Sequence, residues 1–321
     1  MLAIGIDLGG TKIEAALVAQ TGQVLATVRR PTPTESVSAV VKVLADCVRH
    51  LQKQAPAPVE GIGLGTPGQV DSTAGIVRRA TNLGWENVPL HALLTAELGG
   101  NLPLFIQRDS AAELLAERYF GAGRDCANLV YLNLGTGLGG AALVDGHLVV
   151  GHTFTASEIG HIVLDPHGRP CSCGLRGCAE TLVSGTGFVA HTRQLLAAGQ
   201  HATSLAEPFT SGMVLRAAEM GDELATAVVS DTAAWLAQLV AAYAIILNPQ
   251  RVVIGGGFGR AAFHLLIPRV QADLPHLVLA SNHAELEIVP SQLDSSALGA
   301  AGLVWQGQKN LLETLFKESA K

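Results

Sequence analysis

Short apolar runs that end at glycines or turn residues recur along this chain and predict β-strands. The first run, Ile4–Val18, is divided by Gly9-Gly10, and a third strand at Val24–Val28 follows a polar turn. Further strands are predicted at 59–64, 104–106, 130–144 and 251–255. Segments with helical spacing of apolar residues predict helices at about 36–54, 111–120, 184–198, 222–247 and 297–306. This alternation of strands and helices indicates an α/β fold.

The first predicted hairpin has a second copy later in the chain. When Ile4–Val18 is aligned without gaps with Val130–Val144, Asp7 falls on Asn133, and both copies end in Ala-Ala-Leu-Val. A few matching small residues can arise by chance, but the shared glycine-rich bend favours duplication. We therefore predict two similar α/β domains facing each other across a cleft, with boundaries of 1–108 plus about 297–321 for one and 109–296 for the other.

Composition and charge argue against several classes of protein. The 321 residues carry a net charge of −6 with only 21 basic residues, and no long run of Lys or Arg stands out, which disfavours a nucleic-acid or anionic-membrane surface. The longest apolar run, Leu236–Leu247, is too short to cross a bilayer. The N-terminus lacks the basic start of a signal peptide and reaches Asp7 early. We expect a soluble cytoplasmic protein without a nucleic-acid or membrane partner.

Three of the five cysteines lie close together and close to a histidine, which favours a metal site in a reducing compartment over disulfides. A set of three cysteines and one histidine is the closed form of a structural zinc site. Gly174 and Gly177 allow the chain to turn tightly there. The predicted zinc ligands are His161, Cys171, Cys173 and Cys178.

Three glycine-rich turns follow predicted strands and are candidates for phosphate binding, because glycine lets backbone amides approach phosphate oxygens. Each turn alone is as well explained by a tight hairpin, but their matching places in a duplicated unit favour a nucleotide cleft. Asp7 could hold Mg²⁺ directly or through water. The candidates are Asp7, Gly9, Gly10, Thr11 and Lys12, then Gly135, Thr136 and Gly137, then Gly255, Gly256 and Gly257.

Asp109 stands between a predicted strand and a predicted helix. Ser110 and Glu113 fit the S-x-x-E capping box, which would leave Asp109 free just before the helix. One interpretation makes Asp109 a helix cap or a charge that complements the helix dipole. The other makes it a general base that takes a proton from a hydroxyl attacking a γ-phosphate. The local sequence does not decide between them.

Taken together, these motifs resemble the ROK family, named for repressors, open reading frames and kinases, which belongs to the sugar kinase, heat-shock protein and actin superfamily. The resemblance covers nearly the whole chain, and its most specific element is the histidine followed by Cys-x-Cys-Gly-x-x-Gly-Cys. The segments that carry it are 7–12, 61–71, 82–85, 135–140, 158–161, 171–178 and 255–257.

The resemblance implies two actin-like (ribonuclease H-like) domains around a nucleotide and sugar cleft, with structural zinc in the larger one. It implies ATP-dependent phosphorylation of a hexose, usually at the 6-hydroxyl, with Mg²⁺ accompanying ATP and Asp109 as the base. It also implies a homodimer or homotetramer. The candidate sugar-binding residues at the matching positions are Gly65, Asn82, Arg108, Asp109, Glu158, His161 and Glu180, while a turn asparagine and a strand-end glycine would also explain Asn82 and Gly65.

The sequence departs from the family pattern at four positions. Arg108 stands where relatives generally have an asparagine that contacts a sugar hydroxyl, and Ala111 replaces another common asparagine. Phe154 and Ser157 stand at usual glycine positions before Glu158. Arginine only donates hydrogen bonds, so Arg108 would select an altered sugar, pair with Asp109, or turn away and widen the pocket.

Several functions remain open at this point. Glucose, an N-acetylhexosamine or fructose would each fit a kinase of this family, and Arg108 keeps a catalytically weak sugar sensor possible. A repressor of the family would carry an N-terminal helix-turn-helix segment, and the first predicted strand begins too early, at Leu2, to leave room for one. A nucleic-acid-binding zinc ribbon conflicts with the acidic balance. The intact phosphate-binding motifs and Asp109 favour the kinase.

Overall fold

A computed structural model describes residues 1–100, 102–293 and 296–319. The chain forms two compact units. The first contains Met1–Arg124, Val150–Ala156 and the residues from Gln292 onward, and the second contains Asp125–Val149 and Ser157–Ser291. The strand and helix pattern of the sequence is therefore distributed over two separate cores.

The first unit contains eight strands and four α-helices among its described residues. Its strands are β1 (Leu2–Leu8), β2 (Lys12–Ala19), β3 (Val24–Pro31), β4 (Val59–Thr66), β5 (Gln69–Asp71), β6 (Ile76–Ala80), β7 (Trp85–Val88) and β8 (Leu104–Arg108). Its helices are α1 (Val37–Gln52), α2 (Leu90–Leu98), α3 (Asp109–Phe120) and the C-terminal α10 (Ser296–Ser319), with a 3-10 turn at Thr81–Leu83.

The second unit contains five strands and six α-helices. Its strands are β9 (Leu129–Leu134), β10 (Leu138–Val144), β11 (His147–Leu148), β12 (Arg251–Gly255) and β13 (Glu287–Pro290). Its helices are α4 (Glu180–Val183), α5 (Gly185–Ala198), α6 (Ser211–Glu219), α7 (Glu223–Leu247), α8 (Gly257–Asp273) and α9 (Ala280–His283), with 3-10 turns at Ile159–His161 and Leu274–His276.

The main sheets of the two units have the same plan. Their strand orders are β3-β2-β1-β4-β8 and β11-β10-β9-β12-β13. In each, an antiparallel hairpin is followed by two parallel strands. The aligned residues Asp7 and Asn133 hold equivalent places, since Asp7 pairs with Gly65 and Asn133 pairs with Gly255. The repeat in the sequence therefore corresponds to a repeat of the sheet.

Alternating residues of β1 pack on opposite faces of the first sheet, as the period of a strand requires. Ile4 and Ile6 join a core with residues of α1 and α2. Ala3 joins a second cluster with Ala297 and Ala301 of α10. Helix α10 therefore packs on the sheet of the first unit, where the sequence pattern had placed it.

Helix α3 begins earlier than the sequence predicts. Its first residue is Asp109, because β8 runs into the helix without an intervening loop. The predicted Ser110–Glu113 capping box is absent, since the residue at the cap position is Arg108. The predicted boundary at 108/109 also differs from the structure, in which the first unit continues to Arg124 because α3 packs against α10.

Helix α7 is the one helix in the described part of the chain that is long and apolar enough to cross a membrane by length and composition. Its most apolar window is 56% buried within the structure. Leu236, Leu239 and Val240 are among the residues that place this helix in the core of the second unit. The packing of α7 therefore explains its apolar composition.

Candidate functional site

Three parallel strands bring sequence-predicted residues to one edge of the first sheet. Asp7 of β1 pairs with Gly65 of β4, and Gly65 pairs with Gln107 of β8, two residues before Asp109. A Cβ atom placed on Gly65 would lie 3.6 Å from Cα of Asp109, so the start of α3 lies directly against β4. Asp7, Gly65 and Asp109 are therefore neighbours at the carboxyl ends of these strands.

The Asp7 carboxyl is difficult to ionise in this position. Burial raises its pKa to about 6, the negative charges of Asp109 and Glu14 act in the same direction, and Lys12 opposes them. A divalent cation beside Asp7 would offset both burial and the repulsion from Asp109. The electrostatics of this edge therefore suit a bound cation.

The Gly9–Lys12 turn, between β1 and β2, lies beside Asn82. The amide of Gly9 donates to the carbonyl of Lys12 at 2.9 Å and closes the turn. A Cβ atom on Gly10 would lie 3.3 Å from Cβ of Asn82, so the two predicted site residues are in contact distance. Thr11 and Lys12 are exposed, and Nζ of Lys12 lies 3.6 Å from Oε2 of Glu14.

The residues around Asp109 are held by backbone contacts. The amide of Ser110 donates to Oδ1 of Asp109 at 2.7 Å. Arg108 is buried, and its Nη2 donates to the carbonyl oxygen of Ala156 at 2.7 Å. The arginine therefore contacts the backbone of a distant segment, a contact that no local sequence pattern indicates.

In the second unit, the turn Gly135–Gly137 is bound to the start of α5. Gly135 donates its amide to the carbonyl of Gly137 at 3.0 Å, and its own carbonyl accepts from the amide of Gly185 at 2.9 Å. Thr186 Oγ1 donates to the carbonyl of Thr136 at 2.8 Å. The first residues of α5 therefore fix the shape of this turn.

The third glycine-rich segment places the start of α8 beside the same turn. Gly256 has a φ of +79°, and a Cβ atom there would lie 2.3 Å from the carbonyl oxygen of Leu134 and 2.4 Å from Oδ1 of Asn133. Only glycine fits this left-handed position so close to β9. Helix α8 starts at the next residue, Gly257.

These elements enclose a cavity of about 590 Å³ within the second unit. The N-termini of α5 and α8 both reach it, and helix N-termini bind anions through unpaired amides and the helix dipole. Arg193, in the same cavity wall, pairs with Glu207 at 2.7 Å. The cavity lining includes Gly135, Thr136, Gly185, Thr186, Ser211 and Gly257. A phosphorylated ligand fits this combination of groups.

The four predicted zinc ligands are gathered in the second unit, with their ligand atoms all within 4.8 Å of one another. Sγ of Cys171 lies 3.8 Å from Nδ1 of His161, and Sγ of Cys173 lies 3.6 Å from Sγ of Cys178. Zn–S bonds of about 2.3 Å in a tetrahedron separate two sulfurs by roughly 3.8 Å. The donor set and its spacing therefore fit a zinc ion.

Two of the three thiols, those of Cys171 and Cys178, are buried beside each other and beside the exposed Cys173. Burial and the neighbouring thiols raise the pKa of Cys178 to about 12. The backbone amide of Leu175 lowers the pKa of the exposed Cys173. A zinc ion would stabilise the thiolate form of the whole set. Gly174 and Gly177 have positive φ angles, in agreement with the tight turns predicted from the sequence.

The segment that holds the predicted zinc ligands is bound to neighbouring elements through two side chains. Glu180, two residues after Cys178, accepts from the amide of Leu138 at 3.0 Å through Oε2. Arg169 donates to the backbone carbonyls of Thr181 and Gly187, the latter at 3.1 Å. A disturbance of the metal site would therefore be transmitted to the turn that borders the cavity.

The remaining predicted residues of this unit lie on the approach to the zinc ligands. Glu158 immediately precedes the 3-10 turn Ile159–His161, and both Glu158 and His161 are partly exposed. Because Nδ1 of His161 faces the cysteines, its other ring nitrogen remains as a potential donor to a ligand.

A family model described as "ROK family" matches residues 3–307. The chain belongs to the ROK family. It is 35% identical over 314 residues to a glucokinase of Thermotoga maritima, covering 94% of this chain and 96% of that protein. It is 32% identical over 311 residues to an N-acetylmannosamine kinase of Escherichia coli, covering 96% of this chain and 100% of that protein.

A solved ROK family glucokinase from Streptomyces griseus, in complex with glucose and AMPPNP, has a similar fold. It matches with a TM-score of 0.75 and 29% identity, over 95% of this chain and 100% of that chain. The sheet plan and the three glycine-rich turns described above are therefore set in a fold shared with ROK kinases.

Several residues that line the cavity of the second unit, or contact the helices beside it, were not predicted from the sequence. Thr186 follows a serine-glycine pair at the start of α5 and could have been recognised from the Ser-Gly-Thr-Gly pattern. No sequence pattern marks Arg193, Thr210 or Ser211, which reach the cavity because α5 and α6 lie side by side. Arg169 was likewise missed, because nothing in its local sequence shows that it bonds to α4 and α5.

Proposed function

We propose that this chain is an ATP-dependent hexose kinase that transfers the γ-phosphate to a sugar hydroxyl, with the 6-hydroxyl of glucose or a related hexose as the first candidate. The observation that carries the proposal is the placement of Asp109 at the start of α3, beside Asp7 and Gly65. One carboxylate is thereby available as a base next to another whose ionisation a cation would favour. The similarity to kinases over nearly the full chain supports the same conclusion.

In the proposed reaction, Asp109 accepts the proton of the sugar hydroxyl as the hydroxyl oxygen attacks the γ-phosphorus. The bond from the γ-phosphorus to the bridging oxygen of ATP breaks, and ADP leaves. Such transfers depend mainly on positioning and on compensation of phosphate charge. Residues Asp7 to Lys12 would hold the metal and phosphate groups in the first unit, and Mg²⁺ would contribute charge neutralisation.

The cavity of the second unit is proposed to bind the nucleotide. The turn Gly135–Gly137 and the N-termini of α5 and α8 line it, helix N-termini attract phosphate groups through the helix dipole, and the volume of about 590 Å³ is sufficient for a nucleotide. Gly255 and Gly256 would act indirectly, by allowing α8 to start close to β9. The glycine-rich segments of the second unit would therefore bind ATP, the phosphate donor.

The proposed sugar ligands are Gly65, Asn82, Asp109, Glu158, His161 and Glu180, with zinc holding the wall that His161 and Glu180 border. Carboxylate oxygens accept hydrogen bonds from sugar hydroxyls. Glucose is the first candidate because the glucokinase from Thermotoga maritima has the higher identity of the two relatives. An N-acetylhexosamine and fructose are the alternatives. We propose a cytoplasmic location, in line with the similarity to glucokinases.

The test is release of ADP from Mg-ATP across a panel of hexoses and N-acetylhexosamines. We expect turnover on at least one sugar, and a loss of about 10²–10⁴-fold in kcat for Asp109→Asn with sugar binding retained, as removal of a general base requires. Asp46→Asn, an exposed acid on α1, is the matched control and should keep full activity. An active Asp109→Asn enzyme would contradict the assigned base. Sugar binding without any turnover by the unaltered protein would favour a sensor.

A further inference from the structure

The segment from Val150 to Ser157, which leads into Glu158, has an unfavourable backbone conformation. Phe154 has a φ of +61° and Ser157 a φ of +64°, both in the left-handed region. Side chains with a Cβ atom disfavour this region, and glycine adopts it without penalty. Two such residues within four positions require contacts from outside the segment to maintain them.

Arg108 provides such a contact. Its guanidinium donates through Nη2 to the carbonyl of Ala156 at 2.7 Å, between the two left-handed residues. Arg108 is 7% exposed and Ala156 is half-buried, so the bond is partly removed from water. A hydrogen bond from a charged donor is stronger than one between neutral groups. The amide of the same Ala156 donates to the carbonyl of Val150 at 3.2 Å and closes the segment into a loop.

The bond also joins two stretches of chain that carry proposed functional groups. Arg108 immediately precedes Asp109 at the start of α3, and Ala156 lies two residues before Glu158. The chain passes from the first unit to the second between Ala156 and Ser157. A change in the position of the Ala156 carbonyl therefore changes the direction in which the chain enters the Glu158–His161 turn.

We propose that Arg108 is a positioning residue that holds the loop 150–157 in its left-handed conformation and so fixes the start of the segment that carries Glu158 and His161. Arg108 then compensates for the unfavourable backbone conformation of the two non-glycine residues, Phe154 and Ser157. Glycines at 154 and 157 would make the arginine dispensable, because the loop would reach the same conformation unaided. The effect on sugar binding rests on the proposed function, whereas the effect on the loop does not.

The test is a cycle of four proteins: the unaltered chain, Arg108→Asn, Phe154→Gly with Ser157→Gly, and all three changes together. Hydrogen exchange at the amides of Phe154 and Ala156 is measured without ligand, and sugar KM and kcat are measured with Mg-ATP. Arg108→Asn should speed exchange and raise sugar KM by about tenfold, the effect of losing one charge-assisted hydrogen bond, with kcat changed by less than about threefold.

With glycines present, Arg108→Asn should change KM and exchange by less than about threefold, since contacting groups show non-additive effects. Arg108→Lys, which keeps the charge and one donor, should fall between the unaltered chain and Arg108→Asn. Arg78→Asn, which removes an arginine paired with Asp71 elsewhere in the first unit, is the control and should leave exchange in the loop unchanged.

A higher KM with unchanged exchange, undiminished by the two glycines, would overturn the proposal and make Arg108 a direct sugar ligand. Unchanged exchange and unchanged KM would overturn it as well. The expected exchange pattern in a protein that phosphorylates no sugar would support the loop role while refuting the kinase assignment, so the two failures are distinguishable.

Discussion

The carboxylate of Asp7 should reduce the stability of the ligand-free protein near neutral pH. Its pKa is raised from the ordinary value of 3.8 to about 6, first by burial and then by Asp109. Between these two values the folded protein binds more protons than the unfolded chain, so the free energy of unfolding falls as pH rises through this window. Above about pH 6 the destabilisation is fully present.

The change Asp7→Asn removes the charge and keeps the shape of the side chain. A rise of the pKa from 3.8 to about 6 corresponds to roughly 3 kcal/mol if it is fully expressed. Because Asp7 is only partly buried, solvent screening should reduce the gain to about 1–2 kcal/mol at pH 7.5. For a chain of this length, that raises the midpoint of thermal unfolding by roughly 2–6 °C.

The assay is thermal unfolding at pH 4, 5, 6 and 7.5 in the absence of nucleotide and divalent cations. The gain from Asp7→Asn should be largest at pH 7.5 and should disappear near pH 4, where both states carry a neutral carboxyl. Mg-ATP should stabilise the unaltered protein and should stabilise Asp7→Asn much less, because the variant lacks the charge that the cation would compensate.

Asp71→Asn is the matched control, because its effect should have the opposite sign. The amide of Ala74 and then the guanidinium of Arg78 lower the pKa of Asp71, so its ionised form stabilises the fold above the ordinary pKa, and that stability is lost as pH falls through the lowered value. Its replacement should therefore destabilise the protein at pH 7.5. A gain for Asp7→Asn that is independent of pH, or a loss at pH 7.5, would refute the electrostatic reasoning.

Two further predictions concern the zinc site and the buried acid of α3. Cys178→Ser should abolish zinc binding in elemental analysis. It should also lower sugar phosphorylation, because Glu180, two residues after Cys178, accepts from the amide of Leu138 next to the turn at Gly135–Gly137. Cys47→Ala should retain the metal, and a zinc-free variant with full activity would contradict the link. Glu117, 1% exposed, accepts from the buried amide of Ala122 at 2.7 Å and from the amide of the exposed Gln292 at 3.2 Å. Glu117→Ala should cost about 1–3 kcal/mol in urea unfolding by removing the acceptor of the buried Ala122 amide, and Glu117→Gln should cost less; equal losses would show that the acceptor oxygens are unimportant.

The sequence predicted those parts of the fold for which the local signal is complete. Ser36, Ser184 and Asp222 cap helices α1, α5 and α7 with their side chains, and Asn248 ends α7 in the left-handed conformation. Such caps have sequence signatures because the stabilising group and the amide it binds are only three residues apart. The four predicted zinc ligands, which the fold brings together, could be chosen for a similar reason, since they fall within eighteen residues.

Elements that depend on distant partners were not predicted. The short strands β5, β6 and β7 form a three-stranded sheet of their own, and their exposed charges, including Arg78 and Arg79, hide the alternation expected of strands. The start of α3 was placed too late because Ser110 and Glu113 fit a capping pattern locally. In the fold, the amide of Ser110 is instead satisfied by Asp109.

The departures from the family pattern show most clearly what a linear sequence conceals. Arg108 lies 46 residues before Phe154 and 49 before Ser157, and each substitution taken alone suggests a change in the sugar pocket. The structure joins them through one carbonyl, that of Ala156. A single arginine can then offset the cost of two left-handed side chains, because the bond is part-buried and its donor is charged. If this coupling holds, restoring asparagine at 108 alone would disturb the loop before it altered any sugar contact, and the three positions must be changed together to test sugar preference.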